Sequence, residues 1–404
     1  MIALALLGCT QLEPDRPDIV VVAFEGLRAD VASELPVFRD LADESVVYPR
    51  AVTPSPWGLS ALASLLTGVA PSEHKVVRHP IAARQYGTLA AWDTTLPQEL
   101  ADKGYRTAVF GQSVWLDPMF GLDRGFDVLD RHSVESPTER VVEEAVEYLG
   151  AAEQPAFVLI VLPEPTFPWD SDRCDRGGLR PLSREEYVGA FDGEPIGRER
   201  QREIRQLYLA EACGAEAVLG DLLAELVDRH WLVVTSLHGF ELWDPGAFGF
   251  GTSLKPASVH VPLLVRGPGL VPRSEGGSLD LRALRSFLLQ PSQATLPAPG
   301  PQSLGVSMAP PRTLDRTAIY GEDELLVAIA ETGMVERWQV RPDGSLGPLQ
   351  GVGTLRDQSD PMAQALHELR DMEPLYPDTS HSVWRVDGEL LREISLVGGR
   401  RPAR

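Results

Sequence analysis

Two rhythms of apolar residues alternate along this chain. Short unbroken runs, of which DIVVVAF (Asp18–Phe24) is the clearest, read as strands buried on both faces, because such a strand has no side on which to show polar residues. Between them, apolar residues recur every three or four positions, the spacing of one helix face. LPVFRDLADES, LSALASLLTG (ended by Gly68), TLPQELADKG (capped by Gly104) and LDLRALRSFLLQ predict helices of this kind. Ser136-Pro137-Thr138-Glu139 carries three helix-start signals, with Ser136 as N-cap, and its helix is expected to run to about Gly150. A long helical stretch covers Arg198 to Arg229, with Leu219, Leu222, Leu223 and Leu226 on one face. RTAVFG, AFVLIVLPE, WLVVTSLHG and VPLLVRGPG predict further buried strands. Strands and helices alternating in this way give an α/β fold, a large mostly parallel sheet flanked by helices on both faces.

The pattern changes near the end. A Pro-rich segment, Leu296–Pro311, marks a boundary. Beyond it, LLVAIAETG and VERWQVRPDG predict a hairpin, with Pro-Asp-Gly as turn chemistry, and PMAQALHELRDM a late helix. Residues 296–404 therefore read as a Pro-rich connection and a small C-terminal α+β subdomain, and residues 18–295 as the α/β domain.

Residues 1–17 stand apart. MIALALLGCTQ is apolar but too short to span a bilayer, and a polar tether follows it. Leu6-Leu7-Gly8-Cys9 resembles a bacterial lipobox, which implies a lipid on Cys9 and a protein anchored to the cell envelope, facing the periplasm or exterior. The other two cysteines, Cys174 and Cys213, have no metal-type spacing and leave a disulfide open in an oxidising compartment. A net charge of −21 argues against a nucleic-acid partner, which needs a basic footprint.

In open parallel sheets, ligands bind outside the carboxyl ends of the strands. Those ends read FEGLRAD, PEPTFPW and SLHGFELW. Together with SPWGLSALASLLTG, LADKGYRTAVF, FGLDRGFD and VPLLVRGPG, all in the matching order, they resemble the sulfatase family of the alkaline-phosphatase superfamily from about Pro17 to Gly269. The resemblance implies an ester hydrolase with Ca²⁺ or another divalent metal and a formylglycine nucleophile, made from Cys or Ser in C/S-x-P-S-R ahead of A-x-L-L-T-G.

This chain departs from that pattern position by position. Counting back from Leu65-Leu66-Thr67-Gly68 puts the nucleophile position at Gly58 and the family Arg at Leu62. Glycine has no side chain to oxidise or attack with. The first metal loop, often Asp-Asp, is Glu25-Gly26, and the late S-D-H-G is Ser236-Leu237-His238-Gly239. Only Glu25 and His238 remain, whereas Ca²⁺ takes about six to eight oxygen ligands. At the substrate-anion positions, Thr166 replaces a His of D-P-H-x-P-Y, Phe250 the His of G-H-G, and Gln112 a Lys.

Two functions follow. In the first, the chain is a pseudoenzyme that expects no cofactor and serves as an envelope-anchored module binding or scaffolding a glycan or an envelope protein. In the second, it is an active sulfuric or phosphoric ester hydrolase with relocated residues, Ser60 as nucleophile and Glu25 with His238 holding a metal. The plainer expectations are that Ser60 caps its helix, that Arg28 and Asp30 pin the loop after the first strand, and that His74 and His79 are exposed loop residues.

Overall fold

A computed structural model describes residues 16–354 and 383–385, except 78–84, 134–135, 152–153, 227–229, 245, 252, 301–302, 308–315, 322, 330–333 and 342–345. Cys9, His79 and the expected helix at 361–372 lie outside the described residues.

The apolar runs form the sheet. Its strands are β1 (Ile19–Phe24), β2 (Val46–Val47), β3 (Arg106–Gly111), β4 (Val128–Arg131), β5 (Ala156–Leu162), β6 (Trp231–Ser236), β7 (Leu263–Arg266) and β8 (Arg273–Ser274), in spatial order β8-β2-β7-β6-β1-β5-β3-β4. From β6 across β1, β5 and β3 to β4 all pairings are parallel. VPLLVRGPG was expected among the mostly parallel strands, but β7 runs antiparallel to both β6 and β2. Burial on two faces makes the same apolar run in either direction, so the sequence pattern carries no sign of strand polarity.

The six residues of β1 are all buried and divide between two cores. Val20, Val22 and Phe24 pack under helices α1 (Pro36–Asp43), α4 (Thr138–Gly150) and α5 (Arg198–Glu225). Ile19, Val21 and Ala23 face the other core, with Leu59, Leu62, Leu65 and Leu66 of α2 (Gly58–Thr67). A further helix, α3 (Leu96–Asp102), starts on a Thr95 capping box with Gln98. The start of α4 falls later than expected: Pro137, not Ser136, occupies the cap position, and no side chain caps it. LDLRALRSFLLQ forms a 3₁₀ turn, Leu281–Ala283, and only five α-helical residues, Leu284–Leu288.

The C-terminal part is an antiparallel meander, β9 (Ser303–Ser307), β10 (Arg316–Tyr320), β11 (Glu324–Ile329), β12 (Met334–Val340) and β13 (Leu346–Thr354). The expected hairpin is β11–β12. Tyr320, Leu325, Val327 and Val340 of this sheet share a small core with Val52, Leu254 and Val259. No helix among the described residues is long and apolar enough to cross a membrane.

Candidate functional site

The carboxyl ends of β1, β5 and β6 are locked together by backbone bonds. Leu237 N donates to Phe24 O (2.7 Å), Glu25 N to Leu162 O (2.9 Å) and Gly26 N to His238 O (3.1 Å). The Ser236 hydroxyl donates toward Phe24 O and His238 O and accepts from Leu27 N at 3.1 Å. Gly26 takes φ +91°, a left-handed conformation that favours glycine. This frame brings the expected metal positions, Glu25, Gly26, Leu237 and His238, to one place.

What they present there is not a ligand set. Gly26 and Leu237 have no side-chain oxygen, and their carbonyls are engaged by the hydroxyls of Tyr208 (2.7 Å) and Thr53 (2.8 Å). His238 is fully buried, its Nδ1–H donates to Gly239 O at 2.8 Å, and its ring stacks on Phe250 with centroids 4.5 Å apart. Burial pulls its pKa down to about 4, so the ring is neutral at pH 7. Burial pushes the Glu25 carboxyl up to about 7, against the opposing pull of Ser113 and Trp115. Glu25 Oε1 and His238 Nε2 are both shut from solvent without a hydrogen-bond partner. One carboxyl and one imidazole do not fit a divalent metal that needs several oxygens.

The nucleophile position is closed as well as bare. A Cβ on Gly58 would sit 2.7 Å from Nε1 and 2.8 Å from Cδ1 of Trp115, and 3.4 Å from Glu25 Oε2. Trp115 lies on the 3₁₀ turn Val114–Leu116 that follows β3, and it packs edge-on against Trp57 and Phe120, 5.0 and 5.9 Å away. Its indole therefore fills the space a side chain at 58 would need. Leu62 is fully buried in the core.

Ser60 does not cap α2. The helix starts at Gly58 with Trp57 in the cap position, which places Ser60 inside the first turn. Its buried hydroxyl donates to Val76 O at 2.6 Å, tying the helix to the segment after it. His74 is likewise not an exposed loop residue. It is fully buried, with Nε2 3.0 Å from Ser64 Oγ and Nδ1 accepting from Val76 N at 2.9 Å, and burial drops its pKa to about 3. Arg28 bonds Asp30 (2.7 and 2.9 Å) and Asp244 (2.8 Å), which pins the loop after β1.

The remaining positions have become packing groups. Thr166 donates its hydroxyl to Pro163 O, and its Cγ2 would lie 3.0 Å from a Cβ on Gly26. Gln112 donates to Ser133 O at 3.3 Å and accepts from the Thr138 hydroxyl at 2.9 Å.

Sequence reasoning left open the Cys174–Cys213 disulfide beside the 163–174 loop but missed the cleft next to it. A disulfide, Cys174–Cys213, with Cα atoms 6.1 Å apart, fastens this loop to α5. Beside it a cleft of about 430 Å³ is lined by Glu139, Glu164, Asp170, Asp172 and Glu211. Its Arg173 is already paired with Glu139 and Asp221, each at 2.7 Å. Glu211 accepts from Ser171 N, and burial raises its pKa to about 8.

The fold agrees with comparisons to known proteins. The sulfatase family model matches residues 17–283. No curated protein matches the chain in sequence. Among solved structures, BT4656, in complex with its substrate D-glucosamine-2-N,6-O-disulfate, superposes with a TM-score of 0.67 at 14% identity, covering 90% of this chain and 100% of that one. BT1596, a 2-O GAG sulfatase, gives 0.67 at 15% identity over 88% of this chain and 90% of that one. The phosphonate monoester hydrolase of Agrobacterium radiobacter gives 0.66 at 15% identity, covering 88% and 94%. At such identities the structural likeness speaks for the fold, while the family model spans well over half of the chain. The chain belongs to the sulfatase family, within the alkaline-phosphatase superfamily.

Proposed function

We propose that this protein is a catalytically inactive sulfatase-family member that works as an envelope-anchored binding or scaffolding module, without the family's metal or formylglycine. One observation carries the reading: the Trp115 indole lies 2.7–2.8 Å from the place of a Cβ at position 58, too close for a nucleophile's side chain to fit unless the ring moves. A lost side chain alone leaves an empty pocket that a neighbouring group can use. Contact this close leaves no room for a nucleophile at position 58.

The anchor rests on the lipobox-like Leu6–Cys9, and the Cys174–Cys213 disulfide suits the oxidising side of a membrane. A glycan partner is suggested by the sulfated sugar bound to one structural neighbour. The carboxylate-lined cleft beside α5 disfavours a sulfated chain at that spot and favours a neutral glycan or a protein.

A specific observation also favours the active-hydrolase alternative: a buried carboxyl, Glu25, whose pKa lies near neutrality. Against it, Ser60 spends its hydroxyl on Val76 O. The deciding experiment is hydrolysis of aryl sulfate, phosphate and phosphonate esters by the wild-type chain and by Ser60→Ala and Glu25→Gln. No turnover above buffer is expected from any of them; saturable wild-type turnover abolished in either variant overturns the proposal. Mass spectrometry of the mature protein is expected to find a lipid on Cys9, and an unmodified Met1 on the cell-derived protein contradicts the anchor.

A further inference from the structure

At the far edge of the sheet, away from the β1 and β6 ends, a different set of side chains converges. Asp130 lies in the edge strand β4, His132 follows that strand, and Glu144 projects from α4. His132 Nε2 is 2.7 Å from Glu144 Oε2 and 3.4 Å from Asp130 Oδ1, and all three atoms lie within 4.8 Å of one another. No other trio of His, Cys, Asp or Glu among the described residues converges this closely.

The spacing suits a metal. Bonds of about 2.0–2.2 Å from zinc to nitrogen and oxygen set neighbouring ligand atoms roughly 3–3.5 Å apart, a spacing that His132 and Asp130 already have and that the 2.7 Å His132–Glu144 contact would open to on binding. The surrounding bonds already orient the ligands. His132 N donates to Gly111 O at 2.8 Å, which fixes the backbone beside β3. Arg140 takes the other oxygen of Glu144, Oε1, at 2.8 Å and leaves Oε2 turned to the imidazole. The neighbouring Arg131 is paired with Asp117 at 3.6 Å. The two carboxylates bring a charge of about −2, of which Arg140 on Glu144 Oε1 offsets about one, so the cluster still attracts a divalent cation. The His132 side chain is 8% exposed, whereas those of Asp130 and Glu144 are 44% and 24% exposed, so a cation here can enter and keep water in its open positions.

We propose that Asp130, His132 and Glu144 form a binding site for one divalent cation of the zinc class, which ties the edge strand β4 to helix α4. The mixed nitrogen and oxygen donors select zinc, nickel or cobalt over calcium. The site is independent of the family's metal position and of whether the chain hydrolyses anything.

The test is calorimetric titration of Zn²⁺ into chelator-treated full-length protein, with Co²⁺ absorption as a spectroscopic check. One equivalent is expected for the wild type, with affinity at least tenfold weaker in His132→Ala, Glu144→Gln and Asp130→Asn. Zn²⁺ is expected to raise the melting temperature of the wild type and not that of the variants. Should His132→Ala fail to fold, the two isosteric variants at partly exposed carboxylates decide the matter. Absence of wild-type binding, or one equivalent retained unchanged in Glu144→Gln and Asp130→Asn, overturns the proposal. The first outcome makes the trio an ion pair only, and the second puts the metal elsewhere.

Discussion

The centre and the edge of one sheet, both at the carboxyl ends of its parallel strands, treat their ionisable groups in opposite ways. Where β1 and β6 stop, Glu25 and His238 are sealed in, each with an atom that meets no partner, among Trp115, Phe250 and Thr166. Where β4 stops, Asp130, His132 and Glu144 face one another within hydrogen-bond reach and touch solvent. Under the proposed function, the difference teaches that chemistry is lost through convergence more than through composition. The central site keeps a carboxyl and an imidazole, but aromatic packing has replaced the space and the partners they would need.

The largest expected effect comes from emptying that packing. Trp115→Ala removes a side chain 1% exposed and is expected to cost about 3–5 kcal/mol in chemical denaturation. A cost under about 1 kcal/mol would mean that the indole does not fill the site. Next in size is the clamp on the 163–174 loop. Cys174 and Cys213 close a span of 39 residues, and Cys213→Ser is expected to cost about 2–4 kcal/mol, read under oxidising conditions. An unchanged midpoint would show that the loop is held without the disulfide.

A third effect depends on pH. Glu25 has a folded pKa of about 7, above its ordinary 4.5, so the fold prefers the neutral acid. The stability it lends is fully present below pH 4.5 and is lost as pH rises through 7. Glu25→Gln, which cannot ionise, is therefore expected to be more stable than the wild type at pH 8, by up to about 3 kcal/mol, and nearly equal to it at pH 4.5. Melting curves at the two pH values check this; an equal difference at both would remove Glu25 as the titrating group.

Much of this was legible in the chain. Unbroken apolar runs such as DIVVVAF announce strands covered on both faces, and that Gly58, Leu62, Leu237 and Phe250 carry no nucleophile, guanidinium, carboxylate or imidazole is plain from residue identity alone. What filled the gaps was not legible. Trp115 lies 57 positions from Gly58, on a short 3₁₀ turn that no periodicity marks, and only folding brings them into contact. Ser60 was misjudged because a hydroxyl in the first turn of a helix serves equally as a cap or as a donor to another segment, and the choice depends on what packs there. His74 hides under α2 because a four-residue helix, Pro71–His74, turns it inward. Asp130, His132 and Glu144 have no motif spacing and meet through the pairing of β4 with β3.

The central claim, that the indole occupies the volume of the missing nucleophile, is tested most directly by a double-mutant cycle between positions 58 and 115. Gly58→Ala is expected to cost about 1–3 kcal/mol in the wild-type background, where the new methyl meets Trp115. In the Trp115→Ala background the same substitution is expected to cost nothing or to stabilise, a coupling of at least about 1 kcal/mol. Additive effects, with Gly58→Ala costing the same in both backgrounds, would contradict it.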